Sequence, residues 1–198
     1  VLALGPLTNL ALALRIDPDL LTGYRSVVLM GGSGPYPELG TSLMIDANVN
    51  NDPAAARAVF SAPRGELVMV GVNVTSATIL TEHAIAALRA ADTPRARFAT
   101  EILDSYLDFY QNHWGRRVIP LHDPLAAGIL LDPSFATAAV TGPVNVVTDG
   151  FLSRAHLMRT FDGLPPSFSY DPAPDTKVIT AVDSARFVAD FVETLSRS

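Results

Sequence analysis

The tripeptide His122-Asp123-Pro124 sets an imidazole beside a carboxylate, directly after the apolar run Val118-Ile119-Pro120-Leu121. A carboxylate is a hard oxygen ligand suited to Ca²⁺ or Mg²⁺, and an imidazole suits protonation of a leaving group near neutral pH. A plainer reading makes Asp123 a helix cap and His122 its neighbour. A second polar concentration is Asp46-Ala47-Asn48-Val49-Asn50-Asn51-Asp52. Asp46 and Asn48 stand two apart, so in an extended segment both side chains face one way. An acceptor and an amide on one face can grip neighbouring hydroxyls of a sugar. Asn50 and Asn51 are read as plain loop leading to a cap at Asp52. The stretch Gly31-Gly32-Ser33-Gly34 invites a dinucleotide reading, but Pro35-Tyr36-Pro37 follows where a third glycine should open a helix. Those prolines also remove backbone N–H donors that a phosphate cradle needs.

These groups need elements to carry them. Val1 to Leu4 is a short apolar run closed by Gly5-Pro6, the pattern of a buried strand. Leu7, Leu10, Ala11 and Leu14 follow at helical spacing. Ser26 to Met30 reads as a second strand and Leu67 to Val72 as a third, with a helix between them that starts at Asp52-Pro53. Continuous apolar strands alternating with helices signal a parallel sheet covered on both faces. Helices are expected from Glu82 to Ala91, from Pro94 to about His113, and from His122-Asp123-Pro124 to Leu131. The stripe Phe98, Ile102, Leu103, Tyr106, Leu107, Tyr110 is read as core. Phe135 to Thr160 alternates β-branched residues with Gly142-Pro143 and Asp149-Gly150, which suggests hairpins forming an antiparallel extension. Lys177 to Val182 is a last strand, and Asp183 caps a final amphipathic helix. The expected fold is α/β, mainly parallel, in one domain spanning residues 1–198.

Composition narrows the partners. A formal net charge of −6 disfavours nucleic acid and anionic membrane. No apolar run reaches the length of a membrane span, and no leader pattern opens the chain, so cytoplasm is the default. With no cysteine, thiolate metal sites are excluded. Asn73-Val74-Thr75 matches a glycosylation sequon, read as chance. Val1 opens the chain inside a buried-strand pattern, an unusual place for a terminus, and the sequence reads as cut there.

Taken together, four segments resemble the nucleoside hydrolases of the inosine–uridine type. These are Leu4-Gly5-Pro6-Leu7-Thr8-Asn9-Leu10-Ala11, Val28-Leu29-Met30-Gly31-Gly32, Asp52-Pro53-Ala54-Ala55 and His122-Asp123-Pro124-Leu125-Ala126, in that order. The resemblance implies hydrolysis of the N-glycosidic bond of ribonucleosides with help from Ca²⁺. It implies that the backbone carbonyl of Leu4 and the carboxylate of Asp123 hold the metal. Met30, Asp46 and Asn48 would contact ribose, and His122 would serve the departing base as the catalytic group. A nucleoside is then the small-molecule partner, and a homo-oligomer the expected assembly. The chain departs from the family pattern in four places. Asp46 stands where Glu is usual, Ala47 where an aromatic is usual, Asn73 where Asp is common, and a ribose-binding Asn is missing near Gly40. The family's Asp-rich motif, which supplies further Ca²⁺ ligands and the base that activates water, has no counterpart here, so an enzyme is expected of which these 198 residues alone are inactive. A non-catalytic nucleoside- or ribose-binding protein on the same fold is the alternative.

Overall fold

Strands that bury both faces must be apolar throughout, and the chain meets that demand at its centre. This computed structural model describes residues 1–34, 46–147, 154–157 and 173–197. Strands β1 (Leu2–Ala3), β2 (Ser26–Met30) and β3 (Glu66–Val70) run parallel, and β8 (Asp175–Val182) continues the parallel set beside β3. β6 (Ala136–Val147) then pairs antiparallel with β8, and β7 (Arg154–Leu157) antiparallel with β6. The sheet order is β1-β2-β3-β8-β6-β7. The expected parallel sheet with an antiparallel extension is therefore present.

Helices α1 (Thr8–Ile16) and α3 (Pro53–Ser61) cover one face, around Leu21, Val27, Leu29, Phe60, Leu67 and Met69. The other face carries α5 (Glu82–Ala91), α6 (Pro94–Trp114), α7 (His122–Leu131) and α8 (Ser184–Ser196). Gly128 lets α7 and α8 meet closely, since a Cβ there would lie 2.4 Å from a ring carbon of Phe187. Between these elements lie α2 (Ala47–Asn51), the single turn α4 (Val72–Thr75), and a separate antiparallel pair, β4 (Ile79–Leu80) with β5 (Ile119–Pro120).

Several expectations are corrected. The third strand ends at Val70, because the Val72 amide leaves the ladder to donate to the Gly32 carbonyl and the chain turns into α4. Gly142-Pro143 is no turn. It lies inside β6 where the partner changes from β8, paired through Pro143, to β7, paired from Val144. A proline lacks the ladder donor and is tolerated where pairing ends. Asp149-Gly150 falls outside the described residues. Only half of the α6 stripe faces the core, with Leu103 packing against it partly buried. Leu107 and Tyr110 are buried, yet Phe98, Ile102 and Tyr106 are each more than half exposed. The helix turns its Ala96, Thr100, Leu107 and Tyr110 side inward instead.

A half-buried cation, Arg64, ties the sheet's second half to its first. Arg64 Nη1 donates to the carbonyls of Phe60 (2.6 Å) and Ala62 (3.1 Å), and Nη2 to the Pro174 carbonyl (2.9 Å) and Thr176 Oγ1 (2.8 Å). Burial lowers its pKa, opposed by the charge of Asp175. Arg64→Ala removes the partner of several partly buried acceptors and is expected to cost about 1–3 kcal/mol in urea unfolding. Arg64→Lys should recover little, since a point ammonium cannot span both sets of carbonyls. Full recovery by lysine would mean that charge, not the fork, is what matters.

Candidate active site

In a parallel sheet the loops at the carboxyl ends of the strands are the place for ligands. Here the expected site residues gather at those ends. The β1–β2 register pairs Ala3 with Leu29, which brings Leu4 level with Met30 one residue further on. Leu4 is 38% exposed, while Met30 is buried. Asn48 Nδ2 donates to the Met30 carbonyl at 3.0 Å and lies 3.4 Å from its sulfur. Met30 and Asn48 thus act as a unit.

Asp46 and Asn48 do not sit in an extended segment, as read from the sequence. Asp46 is the N-cap of α2 and Asn48 lies inside that helix. An Asp with extended backbone satisfies the free N–H groups of a first turn better than water can when the turn is buried. Its carboxylate accepts from Val49 N (2.7 Å) and Asn48 N (3.1 Å), and also from Gly32 N (3.0 Å) across the loop. Burial pushes its pKa up, and the three backbone bonds pull it back. Asp52 keeps the plainer reading. It caps α3 through Ala55 N and accepts from Thr8 Oγ1 at 2.5 Å, joining the Thr8-Asn9 motif to α3.

The α7 side completes the cluster. Asp123 is not the cap: Leu121 occupies that position and makes no side-chain cap bond. Asp123 lies in the helix's first turn, where the macrodipole favours an anion. Its pKa is nonetheless raised, first by burial and then by the charge of Asp46. So two carboxylates from different elements lie close enough to feel each other's charge. His122 is held at both nitrogens, with Thr75 Oγ1 2.6 Å from Nδ1 and the Tyr110 hydroxyl 3.2 Å from Nε2. Burial lowers its pKa, disfavouring the charged ring. Burial, then the neighbouring Tyr106, raises that of Tyr110. Thr75 and Tyr110 were not singled out from the sequence. Tyr110 looked like one more member of a helical stripe, and Thr75 meets His122 across a separation of 47 residues. His113, by contrast, is exposed and stacks on Phe109 with ring centroids 4.0 Å apart.

Asn73 anchors the floor. Its Nδ2 donates to the Ile179 carbonyl at 3.0 Å, a bond a carboxylate could not make, which accounts for an amide at this position. The same bond, with Thr75 fully buried, removes the sequon from reach. Gly34 has φ +95°, and a Cβ there would lie 2.7 Å from Asn73 Cγ. Gly34→Ala is expected to destabilise by about 1–3 kcal/mol. An unshifted urea midpoint would show that this loop accommodates the side chain. Gly40 lies outside the described residues.

Would these residues suit Ca²⁺? Among the described residues, no side chain or backbone group donates a hydrogen bond to the Asp123 carboxylate, and its neighbour is a second carboxylate. Such a group gains from a hard cation. Yet no group of three or more His, Asp or Glu among the described residues is arranged to hold a metal. The donors are right in kind, and fewer than the roughly six to eight oxygens Ca²⁺ takes.

An α/β sheet whose ionisable side chains converge at the carboxyl ends of its parallel strands is the class these observations define. The chain belongs to the family described as inosine-uridine preferring nucleoside hydrolase, whose model matches residues 1–189. It is 31% identical over 193 residues to the inosine-uridine preferring nucleoside hydrolase of Crithidia fasciculata, covering 98% of this chain and 58% of that protein. It is 35% identical over 197 residues to the pyrimidine-specific ribonucleoside hydrolase RihA of Shewanella woodyi, covering 98% and 60%. Among solved structures, the plant nucleoside hydrolase PpNRh1 superposes with a TM-score of 0.86 at 26% identity, covering all of this chain and 61% of that one. A purine-preferring ribonucleoside hydrolase from Gardnerella vaginalis gives 0.80 at 27% identity, covering 98% and 59%. The chain thus spans about two-fifths to three-fifths of the length of the relatives it matches. Among the described residues no helix is long and apolar enough to cross a membrane.

Proposed function

We propose that the protein hydrolyses the N-glycosidic bond of ribonucleosides, releasing ribose and the free base. One observation carries the reading: in a chain of this family, Asp46-Asn48 and His122-Asp123, 74 residues apart between Asn48 and His122, converge at one end of the sheet. Cleavage of this bond builds positive charge on the sugar, which nearby carboxylates stabilise, and negative charge on the base. His122 serves the base side. The Met30-Asn48 unit and Asp46 serve the sugar. A carboxylate has about four lone-pair sites, and three backbone donors occupy those of Asp46, leaving Oδ1 able to accept from one hydroxyl. Asn48 keeps its amide oxygen for another.

Asp123 and the Leu4 carbonyl would hold Ca²⁺, which when bound supplies a Lewis acid for the sugar hydroxyls and the attacking water. The test is to incubate the protein with inosine and with uridine in millimolar Ca²⁺ and to assay free ribose. Ribose release that disappears with chelator supports the reading. Tight nucleoside binding without ribose would favour the non-catalytic binder instead.

A further inference from the structure

Side chains on one face of a strand recur every second residue. On the sheet face that α7 covers, the apolar residues Val28, Val68 and Ile179 are therefore each preceded, two positions earlier, by a polar one: Ser26, Glu66 and Lys177. The helix above stops short of that end. Pro133 cannot continue α7, which closes at Leu131, and Ile129 is the last buried residue it contributes. A cavity of about 310 Å³ is left between helix and sheet, with Val28, Val68 and Ile179 on the sheet side and Ile129 and Pro133 on the other. It lies at the amino ends of the strands, the opposite end of the sheet from Asp46 and Asp123. Its lining is the kind that takes small molecules, apolar with a few polar groups. The charged residues of the lining are Arg25, Glu66 and Lys177, all open to solvent in part. Lys177 Nζ stands 3.8 Å from Glu66 Oε1, with 40% and 51% of the two side chains exposed, and so loose a contact contributes little. Among the described residues Arg25 makes no ion pair. Two cations against one carboxylate give the rim a net positive charge above a floor of branched alkyl groups.

We propose that this cavity is a second binding site, separate from the candidate active site, for a small aliphatic carboxylate. The alkyl chain lies along Val28, Val68, Ile129 and Ile179, and the carboxylate takes the place of Glu66 at Lys177, with Arg25 adding charge at the rim. Buried apolar walls with no side chain against them forgo dispersion contacts, which an alkyl chain supplies. A ligand carboxylate can close to full hydrogen-bond distance of an ammonium that Glu66 reaches only at 3.8 Å. An amine of the same length fills the cavity equally well and meets a rim of its own sign. An alcohol fills it and brings no charge.

Lys177 is the chain's one lysine, so reductive methylation with ¹³C-formaldehyde, which keeps the charge, gives one side-chain probe besides the amino terminus. Titrated with hexanoate, the Lys177 methyl resonance should shift and saturate, while acetate at the same concentration leaves it in place. From butanoate through hexanoate to octanoate the affinity should rise about fourfold per methylene, the effect of burying each one. In calorimetry Lys177→Gln should weaken octanoate by about tenfold or more, as the loss of a charged hydrogen bond does, and Lys177→Arg should keep most of the affinity. Ala136→Leu adds bulk to the lining from a partly exposed position, and should weaken octanoate with an unchanged circular dichroism spectrum. Hexylammonium that moves the probe as strongly as hexanoate overturns the proposal by removing the role of charge. Affinities that do not rise with chain length overturn it by removing the cavity, and leave an ordinary surface lysine. Lys177→Gln protein that binds octanoate as wild type does overturns it as well. None of these readouts passes through nucleoside hydrolysis, so this site and the hydrolase reading stand or fall separately.

Discussion

Asp123→Ala should abolish ribose release and, in calorimetry, the binding of Ca²⁺. The expected loss in kcat/KM is at least ~100-fold, because even outer partners of metal ligands cost roughly 10–100-fold. A merely structural Asp123 makes the opposite forecast for stability, and this separates the two roles. The carboxylate accepts no hydrogen bond from the described residues, and burial together with Asp46 raises its pKa. Its charged form is therefore a burden on the metal-free fold. Asp123→Asn should melt, without Ca²⁺, no lower than wild type, while losing the stabilisation that Ca²⁺ gives. The pH dependence follows with a definite sign. A carboxyl whose folded pKa lies above its ordinary 3.8 contributes stability that is present below that value and lost as pH rises through the raised one. Metal-free wild-type protein should therefore gain on the asparagine variant as pH falls through that window. Unchanged Ca²⁺ affinity in Asp123→Ala would reduce the residue to a first-turn anion.

Much of the frame was legible because it rests on local rules. Val27 to Met30 and Leu67 to Val70 are apolar without alternation, which only a strand covered on both faces requires. Asp52-Pro53 and Asp183 announce their helices through capping chemistry that operates within three residues. What misled was whatever depends on the partner. The α6 stripe has core spacing, yet whether Phe98 and Ile102 find a neighbour is decided by where α6 lies, not by its own sequence. Asp46 and Asn48 were read in the wrong geometry, as an extended segment where the chain forms a capped helix. Gly32 supplies a donor from across the loop, and a capped turn satisfies more backbone groups than an extended segment there. Tyr110 and Thr75 carry no local mark at all. Their meaning comes from His122, and His122 touches both only once β4 and β5 have paired and α7 is docked.

His122 is where the second large effect is expected. Burial disfavours the charged form of its ring, which Thr75 and Tyr110 bracket, and under the proposed function that ring assists the departing base. On the proposed reading, removing it withdraws help from the leaving group and little else, since the groups assigned to the sugar belong to other elements. His122→Ala should slow inosine and uridine by about 100-fold in kcat, within the usual range for a positioned donor or acid. p-Nitrophenyl riboside, whose leaving group departs as a stable anion, should lose no more than a few-fold. The contrast between substrates matters more than either loss, because a variant that merely loosens the site would penalise both alike. Tyr110→Phe sharpens the comparison: it removes the hydroxyl 3.2 Å from Nε2 but leaves the imidazole in place, so the loss on nucleosides should be smaller than for His122→Ala. Equal losses on the two substrate types in His122→Ala would place the residue's contribution in packing, and the leaving-group role would have to move to another side chain.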